Sequence, residues 1–63
     1  MKFEQVDILM SIHRKTDSAI LASDDGDRDN AVWLPLSQIE MVSKGQWVEV
    51  TMPEWLAKDK GLI

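Results

Sequence analysis

A run of seven residues, Asp24-Asp25-Gly26-Asp27-Arg28-Asp29-Asn30, holds the densest set of groups in the chain that could do chemistry. Asp25, Asp27 and Asp29 stand at alternate positions, the spacing that arranges carboxylate oxygens around a hard cation such as calcium. A calcium loop of the EF-hand kind beginning at Asp25 would need glycine where Asn30 stands and a bidentate glutamate where Leu36 stands. The two most demanding positions of that motif are therefore missing. Aspartate also suits turns for its own sake, since its carboxylate bonds to nearby backbone N–H groups. The segment is read as a solvated hairpin tip, with no metal and no cofactor expected. A third use is as a negative patch that steers a basic surface of a protein partner into contact, carried by Asp24, Asp25, Asp27 and Asp29.

His13 is the only histidine. A lone imidazole doing acid-base work needs an orienting partner and a nucleophile within reach. Asp7, six residues back along the same strand, would lie about 20 Å away. His13 is accordingly read as an exposed strand-end residue. With Arg14 and Lys15 it forms the one dense basic cluster, so a bound phosphate would be held by His13, Arg14 and Lys15. No pair of groups with complementary catalytic roles comes together, and the expectation is a protein that is not an enzyme.

Three tryptophans are many for 63 residues, and tryptophan serves both small cores and binding hot spots. Trp55 is assigned to the core from its place on a helix face, and Trp33 to the core from its place on a central strand. Trp47 alternates with Glu49 and Thr51, so it is left open between core and surface contact. Ser37 and Gln38 could bond a ligand, although satisfying backbone groups in the turn after Pro35 is a sufficient role for them.

The elements that position these residues follow from periodicity and punctuation. Val6, Ile8, Met10 and Ile12 recur at every second position and predict a half-buried strand; Leu9 interrupts its polar face and is expected to touch a second layer. The polar cluster Arg14 to Ser18 predicts a turn, and Ala19 to Ser23 a second, antiparallel strand. Asp25-Gly26 is the dipeptide favoured by type I′ turns, so a hairpin is expected there. A third strand, Asn30 to Leu34, has apolar residues on both faces and is expected to be central. Pro35 ends it, and Leu36-Ser37-Gln38 predicts a tight 3₁₀ turn. Ile39 to Val42 resumes extended structure, Ser43 to Gln46 turns, and Trp47 to Thr51 makes a fifth strand. Thr51 and Glu54 are spaced as a capping box, with Pro53 in the first turn. A helix is predicted from about Met52 or Pro53 to Lys60, closed by Gly61 with Leu62 folding back. Trp55, Leu56 and Leu62 are its packing face. The fold class is mainly β: a strongly bent five-stranded antiparallel sheet or small SH3-like barrel with a short C-terminal helix, as one domain over residues 1–63.

Composition bounds what this fold can do. A chain this short buries only about 60% of its unfolded surface, so one thin core is expected. There is no cysteine, hence neither disulfide nor thiolate metal site. The apolar share is 44%, but no apolar run approaches the roughly 20 residues that span a bilayer, and no membrane association is expected. Met1 to Gln5 is followed by alternation rather than an unbroken apolar stretch, unlike a secretory signal, so a cytoplasmic location is expected. The net charge is −4, with four basic against seven acidic residues from Met1 to Val32 and three against four from Trp33 to Ile63. An acidic chain is disfavoured at a phosphate backbone, where lysine and arginine drive binding.

The segments Val32-Trp33-Leu34-Pro35-Leu36-Ser37-Gln38-Ile39-Glu40 and Met52-Pro53-Glu54-Trp55-Leu56-Ala57-Lys58-Asp59-Lys60-Gly61-Leu62-Ile63 resemble small, mostly uncharacterised bacteriophage and prophage proteins. Those proteins carry a similar WLPxSQ segment and a PEWLAxxKGLI-like tail. The likeness covers the second half of the chain and excludes the acidic tip. It implies a phage setting and a compact binding module, and brings no catalytic residues. The expected function is that of a small acidic accessory or inhibitor that docks on a protein partner through Asp24, Asp25, Asp27, Asp29 and Trp47, the partner belonging to host defence or nucleic-acid-processing machinery. The alternative is a small β-barrel that binds single-stranded nucleic acid through tryptophan stacking and the His13-Arg14-Lys15 cluster. Either a monomer or a homodimer through a strand edge fits so small a sheet.

Overall fold

The structure, a computed structural model, describes residues 4–63. Five strands form one antiparallel sheet: β1 (Gln5–Lys15), β2 (Ala19–Ser23), β3 (Val32–Pro35), β4 (Glu40–Lys44) and β5 (Trp47–Pro53). Their spatial order is β3-β2-β1-β5-β4, and the helix α1 (Glu54–Asp59) follows β5. The mainly-β architecture expected from alternation is present. β1 is longer than its apolar alternation suggests and is shared between two half-sheets. Gln5 to Met10 pair with Pro53 to Val48 of β5, while Ser11 to Lys15 pair with Ser23 to Ile20 of β2. The register slips between Ile12 and Arg14, leaving His13 as the extra residue of a β-bulge. A bulge bends its strand and sharpens the twist, which curls the two halves around one core.

That core is Met10, Ile20, Ala22, Leu34, Val50, Met52, Leu56 and Ala57, flanked by half-buried Val6, Ile8, Ile12, Val32, Leu36, Ile39, Met41, Val48 and Leu62. Val6, Ile8 and Met10 lie opposite Met52, Val50 and Val48, so the period of two places one whole face of each strand inward. Leu9 has the opposite parity; it lies outward beside Glu49 and meets no second layer.

The tryptophans overturn two expectations. Trp33 is 45% exposed and Trp55 is 50% exposed, so neither belongs to the core, and Trp47 is 37% exposed. β3 is an edge strand rather than a central one: it pairs only with β2, in the register Leu21↔Trp33 and Ile20↔Leu34. Leu34 fills the interior, and the apolar character of the other face leaves Trp33 on the surface. On α1, Leu56 and Ala57 face the core while Trp55 points away.

The predicted 3₁₀ turn forms at Leu36–Gln38 without a side-chain cap; the N–H of Leu36 ties it to the Ser18 carbonyl at 2.9 Å. Ser37 and Gln38 are exposed. β4 and β5 are joined by the two residues Gly45-Gln46, with Gly45 at φ +69°. Glycine first with φ positive is the type II′ arrangement.

The capping box is absent. Thr51 stays in β5, where its hydroxyl donates to the Asp7 carboxylate at 2.5 Å, and Pro53 takes the N-cap position with no side-chain cap. The orphan N–H of Glu54 donates instead to the Glu4 carbonyl at 2.9 Å. At the other end Gly61 adopts φ +73°. Leu62 N–H reaches the Ala57 carbonyl at 2.8 Å and Gly61 N–H the Lys58 carbonyl at 3.1 Å, the paired bonds of a Schellman motif. Glu54 and Lys58 form an i,i+4 ion pair at 3.0 Å. The side-chain bond from Lys58, and then one involving Glu4, hold the Glu54 carboxyl below its ordinary range.

Candidate functional site

The acidic segment connects β2 to β3, so a hairpin is present, but the turn is not type I′. Gly26 has φ +79° and no described residue other than glycine has positive φ, whereas type I′ needs both central residues there. The loop is built by its own carboxylates. Asp25 accepts from the N–H of Asp27 and from Asn30 Nδ2, each at 2.8 Å. Asp27 accepts from the N–H of Asp29 at 2.9 Å and caps a 3₁₀ turn at Arg28–Asn30. The Asp27 N–H is the leading cause that lowers the Asp25 pKa, followed by Asn30, with a smaller contribution from the nearby His13. Asp25 and Asp27 thus give the loop its shape. Asp24 and Asp29 are exposed and supply charge.

The loop lies over the start of β5. A β-carbon placed on Gly26 would sit 3.9 Å from Cη2 of Trp47 and 4.0 Å from Oγ of Ser11. Trp47 is held on the outward face of the sheet opposite Lys44. The loop that carries Asp24, Asp25, Asp27 and Asp29 therefore meets Trp47 at Gly26, so that residues singled out separately from the chain stand on one loop and on the tryptophan it touches.

The basic cluster is divided. His13 is half-buried rather than an exposed strand end, because the bulge turns it toward Ser23, and its Nε2 lies 2.8 Å from Ser23 Oγ. Ser23 is fully buried. The pair is thus a satisfied polar contact beneath the acidic loop, with no route for a substrate to the hydroxyl. Arg14 and Lys15 stay exposed. Arg14 pairs with Leu21, which pairs with Trp33, so these three form one cross-strand row on one face of the sheet.

Sequence reasoning misses Ser11 beside this surface and the buried Ser23 that bonds His13. Both are ordinary strand serines, and nothing local announces a bulge at His13. It also misses Leu9 and Val42 as exposed apolar residues, although their parity with Asp7 and Glu40 already places them outward.

Among the described residues no group of three or more His, Cys, Asp or Glu side chains could hold a metal ion, and no helix is long and apolar enough to cross a membrane. No family model, curated protein or solved structure matches the chain.

Proposed function

We propose that this chain is a small phage-type docking protein, an accessory or inhibitor without catalysis of its own, which acts in the host-cell cytoplasm on a host-defence or nucleic-acid-processing protein. The observation that supports this most directly is the seating of Trp47 against the acidic loop at Gly26. A partly exposed tryptophan is a common binding anchor, and the carboxylates of the loop that meets it steer a basic partner surface and set its orientation. The burial of Ser23, which withholds the hydroxyl nearest His13 from solvent, also supports a non-catalytic role.

The test is affinity capture from host lysate with and without nuclease, using the wild-type chain and a Trp47→Ala variant. A protein retained after nuclease by the wild type and lost with the variant is the expected result. Equal retention by both chains would overturn this assignment of the surface.

The row Arg14-Leu21-Trp33 favours a second reading, binding of single-stranded nucleic acid by stacking on Trp33 beside Arg14 and Lys15. His13, engaged with Ser23, drops out of that site. This reading requires quenching of tryptophan emission by an oligonucleotide at low salt, weakening as salt rises. Unquenched emission would remove it.

A further inference from the structure

We propose that β4 is a self-complementary edge through which two copies of the chain pair antiparallel, joining two five-stranded sheets across a two-fold axis at Val42. The sheet has two edges, β3 and β4. β3 is four residues long, ends in Pro35 and is flanked by 3₁₀ turns, features that blunt an edge. β4 follows one of the same 3₁₀ turns but contains no proline and is five residues long, and β5 is the element it packs along.

The backbone of β4 is in phase for this pairing. Its two-residue turn makes Lys44 and Trp47 the hydrogen-bonded pair that closes the hairpin. Alternation then directs the N–H and C=O groups of Lys44, Val42 and Glu40 toward β5, and those of Ser43 and Met41 away from it. With a two-fold axis at Val42, Met41 of one copy faces Ser43 of the other. Both outward pairs of backbone groups are then satisfied, and Val42 meets its counterpart in the closer, non-hydrogen-bonded geometry.

The side chains match the same register. Glu40, Val42 and Lys44 share the outward face with Thr51, Glu49 and Trp47. About the two-fold axis, each Glu40 lies opposite a Lys44 of the second copy, so two opposite-charge pairs flank an apolar centre. Val42, 53% exposed in the single chain, finds an apolar neighbour there. A parallel pairing would bring like charges together, and moving the axis by one residue, to Met41 or Ser43, would set Val42 against Glu40 or Lys44; both are disfavoured by cross-strand pair energies. A two-fold contact of this kind closes on itself and does not propagate.

The experiment is sedimentation velocity on the full chain at concentrations up to about 1 mM, at which even a weak pairing is half formed. It is repeated on Glu40→Lys, Lys44→Glu and the variant carrying both changes. Each single reversal sets like charges opposite each other twice, by symmetry, and should weaken self-association by about tenfold or more. The double reversal restores both pairs and should return the dimer to near wild-type strength. Because it contains both substitutions, its recovery also shows that neither prevents folding. A wild-type chain that remains monomeric, a dimer indifferent to the single reversals, or a double variant as weak as the singles would each overturn the proposal.

Discussion

Cη2 of Trp47 lies 3.9 Å from where a β-carbon on Gly26 would stand, an ordinary van der Waals distance. Space is therefore not what requires glycine at position 26; its φ of +79° is. Gly61 has a similar φ of +73°, and a β-carbon there would meet nothing within 4 Å. Gly26→Ala and Gly61→Ala should each lose roughly 1–2 kcal/mol, the usual cost of an L-residue in the left-handed region. Denaturant unfolding of the two variants side by side checks this. A much larger loss at position 26 would mean that the indole resists the added methyl.

The surface positions of the tryptophans predict an inverted order of core sensitivity. Leu56→Ala, at a buried position, should cost about 2–4 kcal/mol. Trp55→Ala, one residue earlier and half exposed, should cost less than about 1 kcal/mol despite removing the larger side chain. Equal losses in chemical denaturation would show that Trp55 is packed.

The four aspartates of the loop should separate into two kinds. Asp24→Asn with Asp29→Asn removes charge at exposed positions and should change stability by no more than about 0.5 kcal/mol. Asp27→Ala removes the cap of the 3₁₀ turn and should cost about 1 kcal/mol. The first pair is therefore the clean probe of electrostatic docking: partner affinity should fall while the unfolding curve stays in place. Unchanged affinity in that variant would remove the electrostatic part of the proposed function.

The Asp25 carboxyl is held below its ordinary range first by the Asp27 N–H and then by Asn30. A carboxyl with a depressed folded-state pKa contributes stability that is present above the unfolded-state value, about 4, and is lost as pH falls through the folded-state value. Wild-type stability should thus be level near neutral pH and decline as pH drops below about 4. Asp25→Asn should show a shallower decline in urea titrations across that range, the remainder including Glu54, whose carboxyl is also depressed. An identical acid slope in both chains would count against the loop hydrogen bonds.

What can be read from the chain alone is whatever depends on neighbours in sequence. Ala19–Ser23, the turn at Leu36–Gln38 and the cap at Gly61 match their expected places because each signal is local. The errors arise where a distant residue decides. Thr51 has the right spacing to cap a helix, but the Asp7 carboxylate 44 residues away takes its hydroxyl. Hydrophobicity alone puts Trp33 and Trp55 inside, yet Leu34 and Leu56 beside them occupy the interior. For the candidate surface, the residues can be named from the chain but their meeting cannot, since the loop reaches Trp47 only after β1 has brought β2 and β5 to its two sides.

That double use of β1 sets the order in which the molecule can assemble. The β2–β3 and β4–β5 hairpins each close over a short stretch of chain and form early at little entropic cost. The ladder joining Val6 to Met52 and Ile8 to Val50 must instead bring together almost the two ends of the chain. Such nonlocal pairing is the slow step in β proteins. Val6, Ile8 and Met10 have their partners in Met52, Val50 and Val48, so the inner face of the first half is shielded only when β5 and its helix are in place.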